Sequence, residues 1–383
     1  MHISSLPGKF GVGDFGPEAF KFADFLQKSR QAYWQILPIS PPNRFIGWSP
    51  YDCLSAFAGN TMLISPELLY KSGLLDKNDL ADVPRFSPKR VEFKKVYDYK
   101  LKLLNKAFAK FNAHGGKEEF MLFCRQNSFW LNDYSVFVAL MEKYKSPDWW
   151  KWPKTAICNE LKQSAYKEKV FQYLFFTQWN ALKDYCNIHG IKIIGDIPIY
   201  VSYRSSDVWS HPEIFKLKNK KLLFKAGVPP DYFSKTGQLW GNPLYNWDVL
   251  KKTDYQWWME RIRHNLNLFD MVRIDHFRGL VKYWQIPADE KTAVNGKWMP
   301  GPGEEFFRVL FKNFPNAKLL AEDLGFITPD VRNLIKKLNL TSMKILLFAF
   351  GDDRGKSVHY PHNYTENCFV YTGTHDNNTI KGW

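Results

Sequence analysis

Three short apolar runs in this chain each end in a carboxylate: Val272-Arg273-Ile274-Asp275, then Leu319-Leu320-Ala321-Glu322, then a run from Cys368 that leads to Gly373-Thr374-His375-Asp376. A brief apolar run closed by polar residues reads as a strand buried on both faces, and such strands belong to parallel sheets covered by helices. Each carboxylate then falls at or just past the C-terminal end of its strand. That is the end where parallel α/β barrels keep their chemistry. Three carboxylates converging there suit glycosyl transfer.

The rest of the pattern agrees with alternating helices and strands. Gly16-Pro17-Glu18 starts a helix with proline in the first turn and an acid at the positive end of the dipole. Ala19, Phe22, Phe25 and Leu26 are expected to form its apolar stripe. Strands are expected at 33–38, 191–200, 343–350 and 368–374, with an amphipathic helix over 171–188. Another helix is expected after Thr328-Pro329-Asp330, with Thr328 as its N-cap and Val331, Leu334, Ile335 and Leu338 on one side. The distances from Glu322 to Ala349 and from Ala349 to Asp376 are both 27 residues, close to the roughly 30 residues per unit of an eight-unit barrel. The fold class is therefore α/β, a TIM-type (β/α)8 barrel formed by 1–51 and 166–383. Residues 52–165 are expected to form a mainly helical insertion subdomain, and 201–247 a substrate-binding loop region.

The candidate chemistry has a bland reading beside it, because an acid ending a strand can equally cap a helix or pair with arginine. Arg273 and Asp275 are two apart, so both point to one side of an extended strand, and the guanidinium should keep the carboxylate ionised. Glu322 follows an apolar segment whose desolvation raises its pKa and suits it to general acid work. Asp323 should face the opposite way. Asp376, beside His375, supplies a third negative group. His2, His276 and His375 with these acids could instead hold a metal, but no local ligand spacing supports it. Asp196 in Gly195-Asp196-Ile197 serves either as a structural acceptor or as a substrate contact. The stretch 227–245 reads as a structured loop whose Tyr232, Phe233 and Trp240 either pack inward or cover bound sugar. Trp48-Ser49-Pro50-Tyr51 is either an ordinary turn or part of the same surface.

Composition narrows the partner. The chain has 53 Lys+Arg against 38 Asp+Glu, a net +15, yet the lysines are scattered and no nucleic-acid motif appears. The 15 Trp, 19 Tyr and 31 Phe provide faces suited to sugar rings, although most must fill core. Five dispersed cysteines with no Cys-x-x-Cys spacing imply reduced thiols, a cytoplasmic location and no zinc site. No apolar run approaches the roughly 20 residues of a membrane helix.

The chain resembles the 4-α-glucanotransferase (amylomaltase, disproportionating enzyme) family, glycoside hydrolase family 77 of the α-amylase clan. The resemblance runs nearly end to end: His-Ile-Ser-Ser-Leu-Pro at 2–7, Gly-Val-Gly-Asp at 11–14, Trp-Gln-Ile-Leu-Pro at 34–38, Ser-Pro-Tyr at 49–51, the Asp196 strand, the aromatic stretch and all three acidic motifs. It implies Asp275 as nucleophile, Glu322 as general acid/base and Asp376 as transition-state stabiliser, with Arg273 and His375 in support. It also implies that Tyr51, Asp231, Tyr232, Phe233, Gln238 and Trp240 line the glucan path. Asp196, His276 and Asn377 join the expected substrate-binding set. The implied partners are maltooligosaccharides and α-1,4-glucans, with no cofactor, no metal, no nucleic acid and no membrane, in a monomer or homodimer. Family members usually begin with a strand before the segment matching His2 and continue beyond Trp383, so truncation at both ends is expected. Asn378 stands where relatives often carry an acid. A retaining mechanism predicts carboxyls of Asp275 and Glu322 about 5–5.5 Å apart. The alternatives are an α-amylase-like hydrolase and an inactive glucan-binding fragment.

Overall fold

A computed structural model describes residues 1–114, 117–155, 158–231, 234–350 and 357–383. Four strands, Tyr33–Gln35, Lys192–Ile197, Met271–Ile274 and Leu319–Ala321, form one parallel sheet in that order. Its register pairs Tyr33 with Lys192, Ile194 with Met271 and Val272 with Leu319. An isolated parallel bridge from Leu320 to Thr341 leads to a second parallel pair, Ser342–Ile345 and Cys368–Tyr371. Six parallel strands thus follow one another in sequence order, as in a barrel wall. The last also approaches the first through side chains: the Tyr371 hydroxyl donates to Gln35 at 2.6 Å, and Phe369 meets the Tyr33 ring edge-on at 5.6 Å.

The helices Pro17–Lys28, Asn159–Ile188, Gln256–Leu268, Gly303–Asn313 and Pro329–Lys337 precede the first five strands in turn. In the first of these, Ala19, Ala23 and Leu26 are buried while Phe25 is exposed, contrary to expectation. At about 100° per residue, position 25 lies some 240° around from 19, off the core face. Thr328 occupies the N-cap position of its helix but makes no side-chain cap bond. The fifth strand ends at Ile345, and Leu346–Phe350 is a 3₁₀ turn rather than more strand. An apolar run does not by itself distinguish the two.

Between the first and second strands lie the helices Phe93–His114, Lys117–Gln126 and Ser128–Tyr144. The 30-residue helix Asn159–Ile188 packs along Ser128–Tyr144 and then runs into the second strand, so it spans position 165 unbroken. Its Phe175 and Trp179 pack against Phe15 at 5.1 and 5.5 Å, and one continuous core joins the helical segment to the parallel strands. A buried ion pair adds a polar tie. Lys100 Nζ meets Asp14 at 2.8 Å and donates to the carbonyls of Met62 and Ile64.

The stretch expected as a loop over 227–245 contains two strands. Phe224–Val228 and Gln238–Pro243 belong to an antiparallel sheet ordered Gln238–Pro243, Phe224–Val228, Lys282–Pro287, Lys297–Pro300. Its glycines and prolines look like turn signals. Here they serve a register irregularity between Lys225 and Gly227 and a close approach at Gly227, where a Cβ would lie 2.2 Å from the Gln238 carbonyl oxygen. The strand Lys282–Pro287 joins this sheet to the third parallel strand through the 3₁₀ turn Phe277–Leu280.

Candidate active site

The third parallel strand is buried along its length, including Arg273 at 4% exposure. Period-two geometry puts Arg273 and Asp275 on one side, and Arg273 Nη2 lies 2.8 Å from Asp275 Oδ1. Strand pairing sets Asp196 beside Arg273, and Nη1 donates to both Asp196 oxygens at 2.8 and 2.7 Å. The Tyr51 hydroxyl donates to Asp196 at 2.7 Å. His375 then stacks on the Tyr51 ring, 5.2 Å away and 8° from parallel, and pairs with Asp376 at 3.3 Å. Asp196 therefore holds Arg273 and Tyr51.

Glu322 is fixed by backbone. Its own N–H donates to the Ile274 carbonyl at 3.1 Å, and its carboxylate accepts from the N–H of His276 at 2.8 Å and of Leu324 at 2.9 Å. His276, which supplies the first of these amides, adopts a left-handed backbone, φ 49°. Asp323 faces away, accepting from the Met343 N–H at 2.7 Å with Lys344 at 3.6 Å.

One guanidinium thus pairs with two carboxylates and acts electrostatically on a third, Glu322. Burial pushes the Asp275 carboxyl up to about 8; Arg273 opposes the rise, while Asp196 and Glu322 add to it. Burial also raises Glu322, against Arg273 and its two amides. Arg273 therefore opposes the rise without cancelling it, since it also pairs with Asp196. The direct contact of Arg273 favours charge on Asp275, whose side chain is also 28% exposed. Glu322 has no such cation contact.

An aromatic rim adjoins the pair. Trp240 meets His276 edge-to-face at 4.8 Å and bonds Gln238 at 3.1 Å, and Tyr200 lies behind it. His276 Nε2 is buried without a partner. Asp231 is exposed and closes a turn by accepting from the Ser234 N–H at 2.8 Å. Asn377 holds another turn, accepting from the Thr374 N–H at 2.9 Å. Tyr232 and Phe233 lie outside the described residues. The carboxylate of Asp376 is 68% exposed and joins the cluster through His375. Sequence reasoning missed Gln35, Tyr200 and, as a neighbour of His375, His2. The neutral form of His2 is favoured, its pKa lowered to about 4 by burial, the chain N-terminus and His375. The signal for His2 was its place at the head of the 2–7 motif.

A family model described as 4-alpha-glucanotransferase matches residues 1–383. The chain belongs to the 4-α-glucanotransferase family. It is 46% identical to the 4-alpha-glucanotransferase of Clostridium butyricum and 44% identical to that of Aquifex aeolicus, with all of this chain covered and 80% and 79% of the relatives. The solved amylomaltase from Streptococcus agalactiae in complex with acarbose superposes with TM-score 0.96 at 41% identity, over all of this chain and 80% of that one. The architecture of this family member is accordingly the amylomaltase TIM-type barrel. Among the described residues no helix is long and apolar enough to cross a membrane.

Proposed function

We propose that this 4-α-glucanotransferase family member transfers α-1,4-glucan segments between maltooligosaccharides by double displacement, with Asp275 as nucleophile and Glu322 as acid/base. The observation that carries the reading is the shared hold on the two groups. Arg273 contacts Asp275, and the amide of the next residue, His276, contacts Glu322. The two carboxyls are thereby kept in fixed relation.

In the first step Asp275 attacks the anomeric carbon while the Glu322 proton passes to the departing glycosidic oxygen, leaving a covalent glycosyl-enzyme. In the second, Glu322 takes the proton of an acceptor 4-hydroxyl, which displaces Asp275. Asp376, through its place beside His375 and Tyr51, stabilises the positive charge that develops on the sugar. Trp240, Gln238 and His276 line the glucan path, and the aromatic rim favours a sugar acceptor over water. The reading requires the two carboxyls about 5–5.5 Å apart in the glucan complex; about 6.5–9.5 Å would instead signal inversion. The five dispersed free cysteines support a cytoplasmic location.

Asp275→Asn tests the assignment. Turnover of maltotriose should fall by at least about 10⁴-fold while maltooligosaccharide binding, followed by calorimetry, persists. Ordinary transfer rates in that variant would remove Asp275 from its role.

A further inference from the structure

The two amides that grip Glu322 come from separate segments. That of His276 belongs to the turn after the third parallel strand, and that of Leu324 to the loop after the fourth. Their spacing defines where the carboxyl stands, and Arg278 spans them. It sits in the 3₁₀ turn Phe277–Leu280 at 5% exposure, and its Nη1 donates to the carbonyl of Phe326 in the Glu322 loop. Its guanidinium carbon lies 3.8 Å over the Trp298 ring and 5.1 Å from the Phe326 ring. Its Nε is buried without a partner, and no carboxylate pairs with it among the described ion pairs. A cation buried this way is held by one carbonyl and two aromatic faces, so the loop and the Trp298 strand must both stay in place to keep it solvated. The turn is equally constrained, since a Cβ on Gly279 would lie 2.7 Å from Ile199 and 3.1 Å from the His276 ring.

We infer that Arg278 is a positioning residue for the acid/base Glu322, a clamp that fixes the Leu324 amide relative to the His276 amide. This rests on the acid/base reading of Glu322 given above. Arg278 touches no reacting group. It acts by holding the proton of Glu322 at the leaving oxygen, so its loss impairs steps that need protonation and spares those that do not.

Leaving-group dependence tests this. With maltotriose as donor, breaking the glycosidic bond needs the Glu322 proton. With α-maltosyl fluoride, the C–F bond breaks as the bond to Asp275 forms, and fluoride departs as an anion without a proton. For Arg278→Ala, kcat on maltotriose should fall about 10²-fold with KM within about threefold, while first-turnover fluoride release stays within about threefold of the parent. Arg278→Lys keeps the charge but not the planar face, should fall about tenfold on maltotriose and also spare fluoride release; it carries the test if the alanine variant does not fold. Equal losses on both donors, or parental rates in both variants, would overturn the clamp. Glu322→Gln separates the two claims. If it loses maltotriose turnover but releases fluoride, the acid/base reading stands whatever Arg278 does, and equal losses on both donors there would overturn the reading and the clamp together.

Discussion

Arg273 shows how much one side chain settles here. Its two terminal nitrogens bind Asp196 and Asp275, so the nearest cation neutralises only part of a buried charge that also includes Glu322. Sequence revealed the pair Arg273 and Asp275 because strand alternation fixes their common side. It did not reveal the competition with Asp196, which comes from a strand 77 residues away. A second buried acid makes the same physics measurable away from the site. Glu168, 8% exposed on the long helix, accepts from Gln172 at 2.9 Å, and burial pushes it from 4.5 to about 7, with Gln172 opposing. A raised pKa means that the folded state binds the proton more tightly than the unfolded one. The associated stability is complete below about 4.5 and is lost as pH rises through about 7. Glu168→Gln keeps an acceptor without the charge, so it should exceed the parent by about 3 kcal/mol at pH 8 in denaturant unfolding, with most of the gap gone at pH 5. A gap of equal size at both pH values would contradict this.

Among the elements, the parallel strands were legible and the antiparallel sheet was not. Leu319–Ala321 is an uninterrupted apolar run and Met271–Ile274 is apolar save for Arg273, and both are buried along their length. Phe224–Val228 and Gln238–Pro243 are only partly buried and between them carry glycine and proline, so their local signals resemble a loop's. Phe224–Val228 becomes a strand by pairing with Lys282–Pro287, more than 50 residues on, and Gln238–Pro243 by pairing with Phe224–Val228. The helical segment was legible as helices, but not its polar tie to the N-terminal motif. Lys100 and Asp14 are 3% and 10% exposed in their side chains, and burial raises the Asp14 carboxyl against the opposing Lys100 charge. Lys100→Met should cost about 3–5 kcal/mol because it strands a buried carboxylate, whereas Lys100→Met with Asp14→Asn should recover a large part of that loss. Denaturant melts of the two singles and the double close the cycle. Additive losses would show that the two groups are independent.

At the level of the whole molecule, the sequence carried the strand order and the position of the acids at the strand ends, because both follow from periodicity along the chain. It did not carry the way the helical segment shares one core with the parallel strands, since that depends on Phe15 meeting Phe175 and Trp179 across more than 150 residues. The assembled molecule places Asp275 and Glu322 together, joins Asp376 to them through His375 and Tyr51, and sets Trp240 on the rim beside them. Such a rim distinguishes transfer from hydrolysis by what reaches the glycosyl-enzyme second. The most direct measurement is the product profile when the purified 383-residue chain is incubated with maltotriose alone. Glucose together with maltopentaose and longer glucans is the predicted result, since each transfer shortens one molecule and lengthens another. Glucose and maltose with no longer product would contradict a transferase, and no product at all would contradict an assembled site.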